Sequence, residues 1–164
     1  MIKKFIGVDS SLSGTGIVIV DENCNIIESK LIKTKTDKFS SYEERLHYIM
    51  TEVENFVSPY LEETEMVFIE GISYNSKGLA SFQLATLNYF IRYFLFLKKV
   101  EFIDIAPKTV KKFITGDGQA QKNLMLLKVF KKYGIEFSDD NICDSWCMAK
   151  YGIDVINKRN KKTE

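Results

Sequence analysis

The chain has 164 residues, which suits one domain built around one core. Its 45% apolar and 27% charged residues are an ordinary globular profile, and with only 2 Pro and no repeat or low-complexity tract, long disordered linkers are excluded. Net charge is only +1 but unevenly placed: residues 1–97 hold 9 Lys/Arg against 13 Asp/Glu, and residues 98–164 hold 14 against 9.

MIKKFIGVDSS is too short and too soon charged for a signal peptide, and residues 3–9 read as a buried strand. Two further strands follow in GTGIVIVDENCNIIESKLIKT, around a turn at Asp21–Asn25 whose Asp, Glu and Asn favour a hairpin. SSYEERLHYIMTEVENFV has helical spacing at Tyr42, Leu46, Ile49, Val53 and Phe56, with Ser40 or Ser41 as N-cap. MVFIEG is the next strand. Leu79 to Lys98 predicts a helix that is apolar nearly all round, interrupted by Gln83, Asn88 and Arg92. Those polar breaks argue for a buried helix rather than a membrane span, and its second apolar face predicts a partner subunit. VEFIDIAP is a short strand stopped at Pro107. KTVKKFITG is a short helix ending at Gly116, GDGQAQ a loop, and KNLMLLKVFKKYG an amphipathic helix ending at Gly134. Ser138 is the expected cap of a last helix beginning DDNICDSWCMAKYG. The order predicts an α/β fold with a five-stranded mixed sheet: an antiparallel meander, then parallel strands joined by helical crossovers. One domain over residues 1–157 and a basic tail over 158–164 are expected.

Three features carry chemistry. Asp9 ends the first strand and Glu70 ends MVFIE, although the end of a buried strand is a poor place for charge. Asp144 lies on the last helix among Ile142, Trp146 and Met148, with Asn141 three residues before it. Together they predict a site of high negative charge that a divalent cation would neutralise. Asp139 and Asp140 read first as helix-start acids. Cys24, Cys143 and Cys147 are an odd count with no secretory signal, and read as reduced, buried thiols. Only His47 could join Cys143 and Cys147 in a zinc site, which is the weaker reading. The basic runs at 98–99, 108–112, 128–132 and 157–162 are solvated helix faces or a polyanion-binding surface.

Taken in order, GVDSSLSGTG, FIEG, IAPKTVKKFITGDGQAQK and DDNICDSWCMA resemble the RuvC-type Holliday-junction resolvases, within the ribonuclease-H-like fold. The resemblance spans nearly the whole chain, and its short length resembles a compact, phage-like member. It implies a crossover junction endodeoxyribonuclease that nicks Holliday junctions, forks or three-way junctions by water attack on the phosphodiester. Asp9, Glu70 and Asp144 match three metal ligands, and Asn141 falls at the fourth position, where the family usually has an acid; Asp140 is the alternative. Hard oxygen ligands without His favour Mg²⁺ or Mn²⁺, and the resemblance implies two ions per site. Lys111 and Lys122 match the two functional lysines. With Tyr74, Lys77, Lys108 and Lys112 they form the expected DNA-contacting set. The family's aromatic wedge falls on Ser73, with Tyr74 beside it, which leaves junction selectivity open. Expected partners are branched DNA and a second copy of the chain, with no membrane and no small-molecule cofactor. The expected location is the cytoplasm of a bacterial or phage-infected cell. Two other readings are a branched-DNA-binding protein that cleaves weakly or not at all, and an RNA-processing nuclease of the same fold. DSSLSGTG also resembles the first phosphate loop of the actin and sugar-kinase fold, which requires two such domains.

Overall fold

The computed structural model describes residues 3–72 and 78–161. Five strands form one sheet: β1 (Lys4–Asp9), β2 (Gly14–Asp21), β3 (Ile26–Lys33), β4 (Thr64–Glu70) and β5 (Phe102–Ile105). Their order is β3-β2-β1-β4-β5. The β1–β2 and β2–β3 pairs are antiparallel, whereas β1–β4 and β4–β5 are parallel. This is the mixed sheet that the sequence predicts. The hairpin turn is closed by Asp21, whose carboxylate accepts from the Asn23 and Asn25 amides, both at 2.8 Å.

Five helices cover the sheet: α1 (Tyr42–Val57), α2 (Leu79–Leu97), α3 (Pro107–Thr115), α4 (Lys122–Tyr133) and α5 (Asp140–Asn160). Strand alternation sorts the core into two layers. Ile6, Val8, Ile17, Ile19, Val67 and Ile69 point toward α1 and α2. Phe5, Val18, Val20 and Phe68 point the other way, toward α3, α4 and α5, where Trp146 is the largest fully buried side chain. Trp146 donates its ring N–H to the Cys24 carbonyl at 3.0 Å, which anchors α5 on the hairpin turn.

α5 lies unusually close to the sheet. A Cβ on Gly7 would sit 1.9 Å from the Ser145 carbonyl oxygen, and one on Gly16 would sit 2.4 Å from that of Asn141. Only glycine on β1 and β2 leaves room for the helix backbone at these points. Ser41 caps α1 through the Glu44 amide, as one of the two expected serines. The cap of α5 differs from expectation. Asp139, not Ser138, is the N-cap: its carboxylate accepts from the Asn141 amide at 2.9 Å and also faces Lys33 at 3.5 Å. A carboxylate satisfies both the free N–H groups and the positive end of the helix, which a serine hydroxyl does less well. α5 runs on to Asn160, so the 157/158 boundary falls inside its last turn.

All three cysteines are unpaired and buried. Cys143 and Cys147 belong to the α5 layer, whereas His47 lies on α1 across the sheet, beside Phe90 and Tyr93. Those three residues do not share a site. No helix among the described residues is long and apolar enough to cross a membrane.

Candidate active site

The strand period that builds the core also aims the acids. Phe5 and Gly7 face α5, so Asp9, two residues further, faces it too. Phe68 faces α5, and Glu70 follows by the same step. Val8 pairs with Ile69 across the parallel β1–β4 ladder, which brings Asp9 and Glu70 side by side at the ends of neighbouring strands. Asp144 completes the group from α5.

The backbone around these acids is pinned. The Asp9 amide donates to the Ser145 hydroxyl at 3.2 Å, and that hydroxyl donates to the Asn141 carbonyl at 2.7 Å. The turn after Asp9 is held by Arg45, whose guanidinium donates to the Leu12 carbonyl at 2.6 Å and to Thr34 Oγ1 at 2.7 Å. The small residues between the first two strands thus close a tight, tethered turn.

The acids perturb one another. Burial pushes the Asp9 carboxyl up to about 9, helped by the Glu70 charge, by a hydrogen bond with Glu70 and by the Asp144 charge; Lys122 opposes this. Asp144 is pushed up to about 6, first by burial; Glu70 and Asp140 push the same way, against Lys122 and Lys111. Both lysines therefore stand within electrostatic reach of Asp144. Lys122 is ion-paired with Asp140, which holds that carboxyl below its usual range. A small recess beside the acids is lined by Glu70, Lys111, Met125, Asp144 and Met148.

Among the described residues, no three acidic, histidine or cysteine side chains already surround a common point at ligand distance. Asp9 and Glu70 lie close enough for their carboxyls to interact directly, which is one cause of the raised Asp9 proton affinity. The donor set nevertheless fits a hard divalent cation: carboxylate oxygens, mutual repulsion and high proton affinity in one recess.

Asn141 and Asp140 lie on the turn of α5 before Asp144. The Asn141 amide nitrogen donates to Asp139 at 3.2 Å, and the side chain packs against Gly14. Asp140 is the one that reaches Asp144 electrostatically. Lys108 and Lys112 are exposed on α3. Lys108 and Lys111 line a hollow of about 560 Å³ with Gly71, Ile72, Arg92 and Gln119, next to Glu70. Tyr74 and Lys77, and the wedge position Ser73, lie outside the described residues.

The family model for "Crossover junction endodeoxyribonuclease RuvC" matches residues 5–149. This chain belongs to the RuvC family. A RuvC from Neorickettsia sennetsu is 31% identical over 151 residues, covering 89% of this chain and 82% of that protein. The RuvC of Brachyspira hyodysenteriae is 26% identical over 147 residues, covering 88% and 89%. Among solved structures, Thermus thermophilus RuvC superposes with a TM-score of 0.74 at 16% identity, covering 94% of this chain and 96% of that one. The same Thermus protein in complex with a Holliday junction substrate gives 0.72 at 17% identity, covering 90% of each. The fold is thus the ribonuclease-H-like one that the RuvC resemblance implies.

Motif reading missed the residues that hold the acids in place. Ser145 is hidden behind Asp144 in sequence and acts through the backbone of β1. Arg45 carries no signal in the apolar spacing of α1, yet it is buried under the turn after Asp9. Asn88 is visible in sequence only as a polar break in an apolar helix.

Proposed function

We propose that this protein is a divalent-metal-dependent endonuclease that nicks branched DNA, Holliday junctions above all, in recombination and repair or in phage DNA processing. One observation carries the reading. Acids from β1, β4 and α5 stand close enough that the Glu70 charge, added to burial, raises the proton affinity of both Asp9 and Asp144, and Lys111 and Lys122 lie within electrostatic reach of Asp144.

Asp9, Glu70 and Asp144 would hold Mg²⁺ or Mn²⁺, with Asn141 or Asp140 as the fourth ligand. Two such ions held there would supply Lewis-acid activation of water and charge neutralisation at the leaving oxygen. Water attacks the phosphorus, the bond to the 3′ oxygen breaks, and the products carry 5′-phosphate and 3′-hydroxyl ends. Lys111 and Lys122 offset the charge that builds on the phosphoryl oxygens. Lys108 and Lys112, with Tyr74 and Lys77, extend the contact to flanking DNA. Lysines bind phosphates without reading sequence, so affinity falls steeply with added salt.

The working unit proposed is a two-fold dimer. α2 exposes Phe82, Tyr89, Phe90, Tyr93, Phe96 and Leu97, an apolar surface too extensive for a monomer to leave in water. A second copy seated on that face would cover it and present two sites to one junction.

The test is incubation with labelled four-way, three-way and linear DNA, with and without Mg²⁺. Metal-dependent nicking of the branched substrates is expected. Binding without cleavage at any metal concentration would favour the junction-binding reading instead.

A further inference from the structure

Asn88 is 2% exposed and sits on α2 between Leu87 and Ile91, both fully buried. Its amide nitrogen donates to the Ser10 hydroxyl at 3.0 Å and to the Glu70 backbone carbonyl at 2.9 Å. Ser10 follows Asp9, and Glu70 is itself one of the acids. One side chain therefore ties the end of β1 to the end of β4 at the two places where the paired acids emerge.

Chemistry fixes which way the amide points. A backbone carbonyl only accepts, so the NH₂ end must face Glu70, and Ser10 then accepts the second hydrogen. Asn88 Oδ1 is left buried without a hydrogen-bond partner. An apolar residue here would avoid that orphaned oxygen. It would also release both strand ends on the α2 side. On the opposite side, the Asp9 amide is already held by Ser145 of α5. The acid-bearing end of β1 is thus gripped from both layers, and only the α2 grip also reaches β4.

We propose that Asn88 is a positioning residue that sets the spacing of Asp9 and Glu70. It touches neither DNA nor the reacting atoms, and acts through the strand ends. This inference rests on the metal-dependent reading above.

The test compares wild type, Asn88→Leu and Ser10→Ala in three measurements: Mn²⁺ binding by calorimetry without DNA, thermal melting, and the Mg²⁺ dependence of cleavage. Asn88→Leu is expected to weaken Mn²⁺ binding about tenfold and to raise the half-saturating Mg²⁺ in parallel, as loss of a group that orients ligands does. Junction binding in EDTA should match wild type. Ser10→Ala removes one arm only and should weaken Mn²⁺ binding in the same direction by a smaller factor. If Asn88→Leu does not fold, Ser10→Ala decides the matter. Wild-type Mn²⁺ affinity in the folded variants overturns the proposal. Wild-type protein that binds no Mn²⁺ overturns the metal-dependent reading, and this inference with it.

Discussion

The Lys122 ammonium is bonded to the Asp140 carboxylate, one helical turn before Asp144 on the same side of α5. The pair joins the first residue of α4 to the first residue of α5. It holds a positive charge within electrostatic reach of both Asp9 and Asp144. The hydrogen bond to Asp140 raises the lysine's proton affinity, so it stays charged as the acids around it change state.

Lys122→Ala and Lys111→Ala are expected to slow single-turnover cleavage about a hundredfold each, the usual cost of removing one transition-state charge donor. Junction affinity should fall much less. Comparing single-turnover rates with equilibrium binding at fixed salt checks this. If the whole loss is in binding, both lysines are ordinary phosphate contacts.

Asp9→Asn is expected to abolish nicking while leaving junction binding intact, because the basic surface is untouched. A gel-shift assay beside a cleavage assay reads both. Normal nicking by this variant would remove Asp9 from the site.

The fourth ligand separates by two substitutions. A neutral amide offsets cation dehydration less than a carboxylate does, so Asn141→Asp should keep activity and lower the Mg²⁺ concentration for half-maximal rate. Asp140→Asn should have the smaller effect, through the loosened Lys122. Loss of cleavage in Asp140→Asn with a harmless Asn141→Ala would instead make Asp140 the ligand.

Stability should depend on pH in a direction opposite to that of a typical paired carboxylate. Asp9 and Asp144 bind protons more tightly folded than unfolded, between the ordinary value of 3.8 and their folded values of about 9 and about 6. The folded state holds the extra protons across that window, so stability falls as pH rises through it. The metal-free melting temperature should therefore decline from about pH 5 to about pH 9, and Mg²⁺ or Mn²⁺ should raise it more at about pH 8 than at about pH 5. Melting curves with EDTA or metal at each pH decide the point. A flat profile without metal would mean that neither burial nor neighbouring charge raises the proton affinity of Asp9 and Asp144.

The exposed face of α2 predicts a dimer at micromolar concentration by light scattering, and Tyr93→Asp should convert it to monomer without unfolding it. A monomeric wild type would leave the apolar face of α2 unexplained by self-association.

The sheet was legible as apolar runs bounded by turn residues, and the acid pair as charges at the ends of two such runs. That they face the same helix follows once Phe5 and Phe68 both face α5, each an even number of residues before its acid. Asp144 was legible as an acid on an apolar segment. The N-cap was not, because Ser138 and Asp139 are adjacent and both are good cap residues, so local sequence does not choose between them. Asn88 was equally opaque: its two acceptors lie 78 and 18 residues away, and no local pattern announces a bond to a strand end.

The bare contact of α5 with Gly7 and Gly16 has a consequence for how this enzyme can change. At these two points main chain meets main chain, whereas further along α5 it is the Phe68 ring that presses on Gly152. Enlarging or trimming core residues elsewhere can make the protein sturdier or weaker. Any side chain at Gly7 or Gly16 would instead push α5, and Asp144 with it, away from the strand that carries Asp9. Core side chains can drift and repack, but these two positions on β1 and β2 admit no side chain at all.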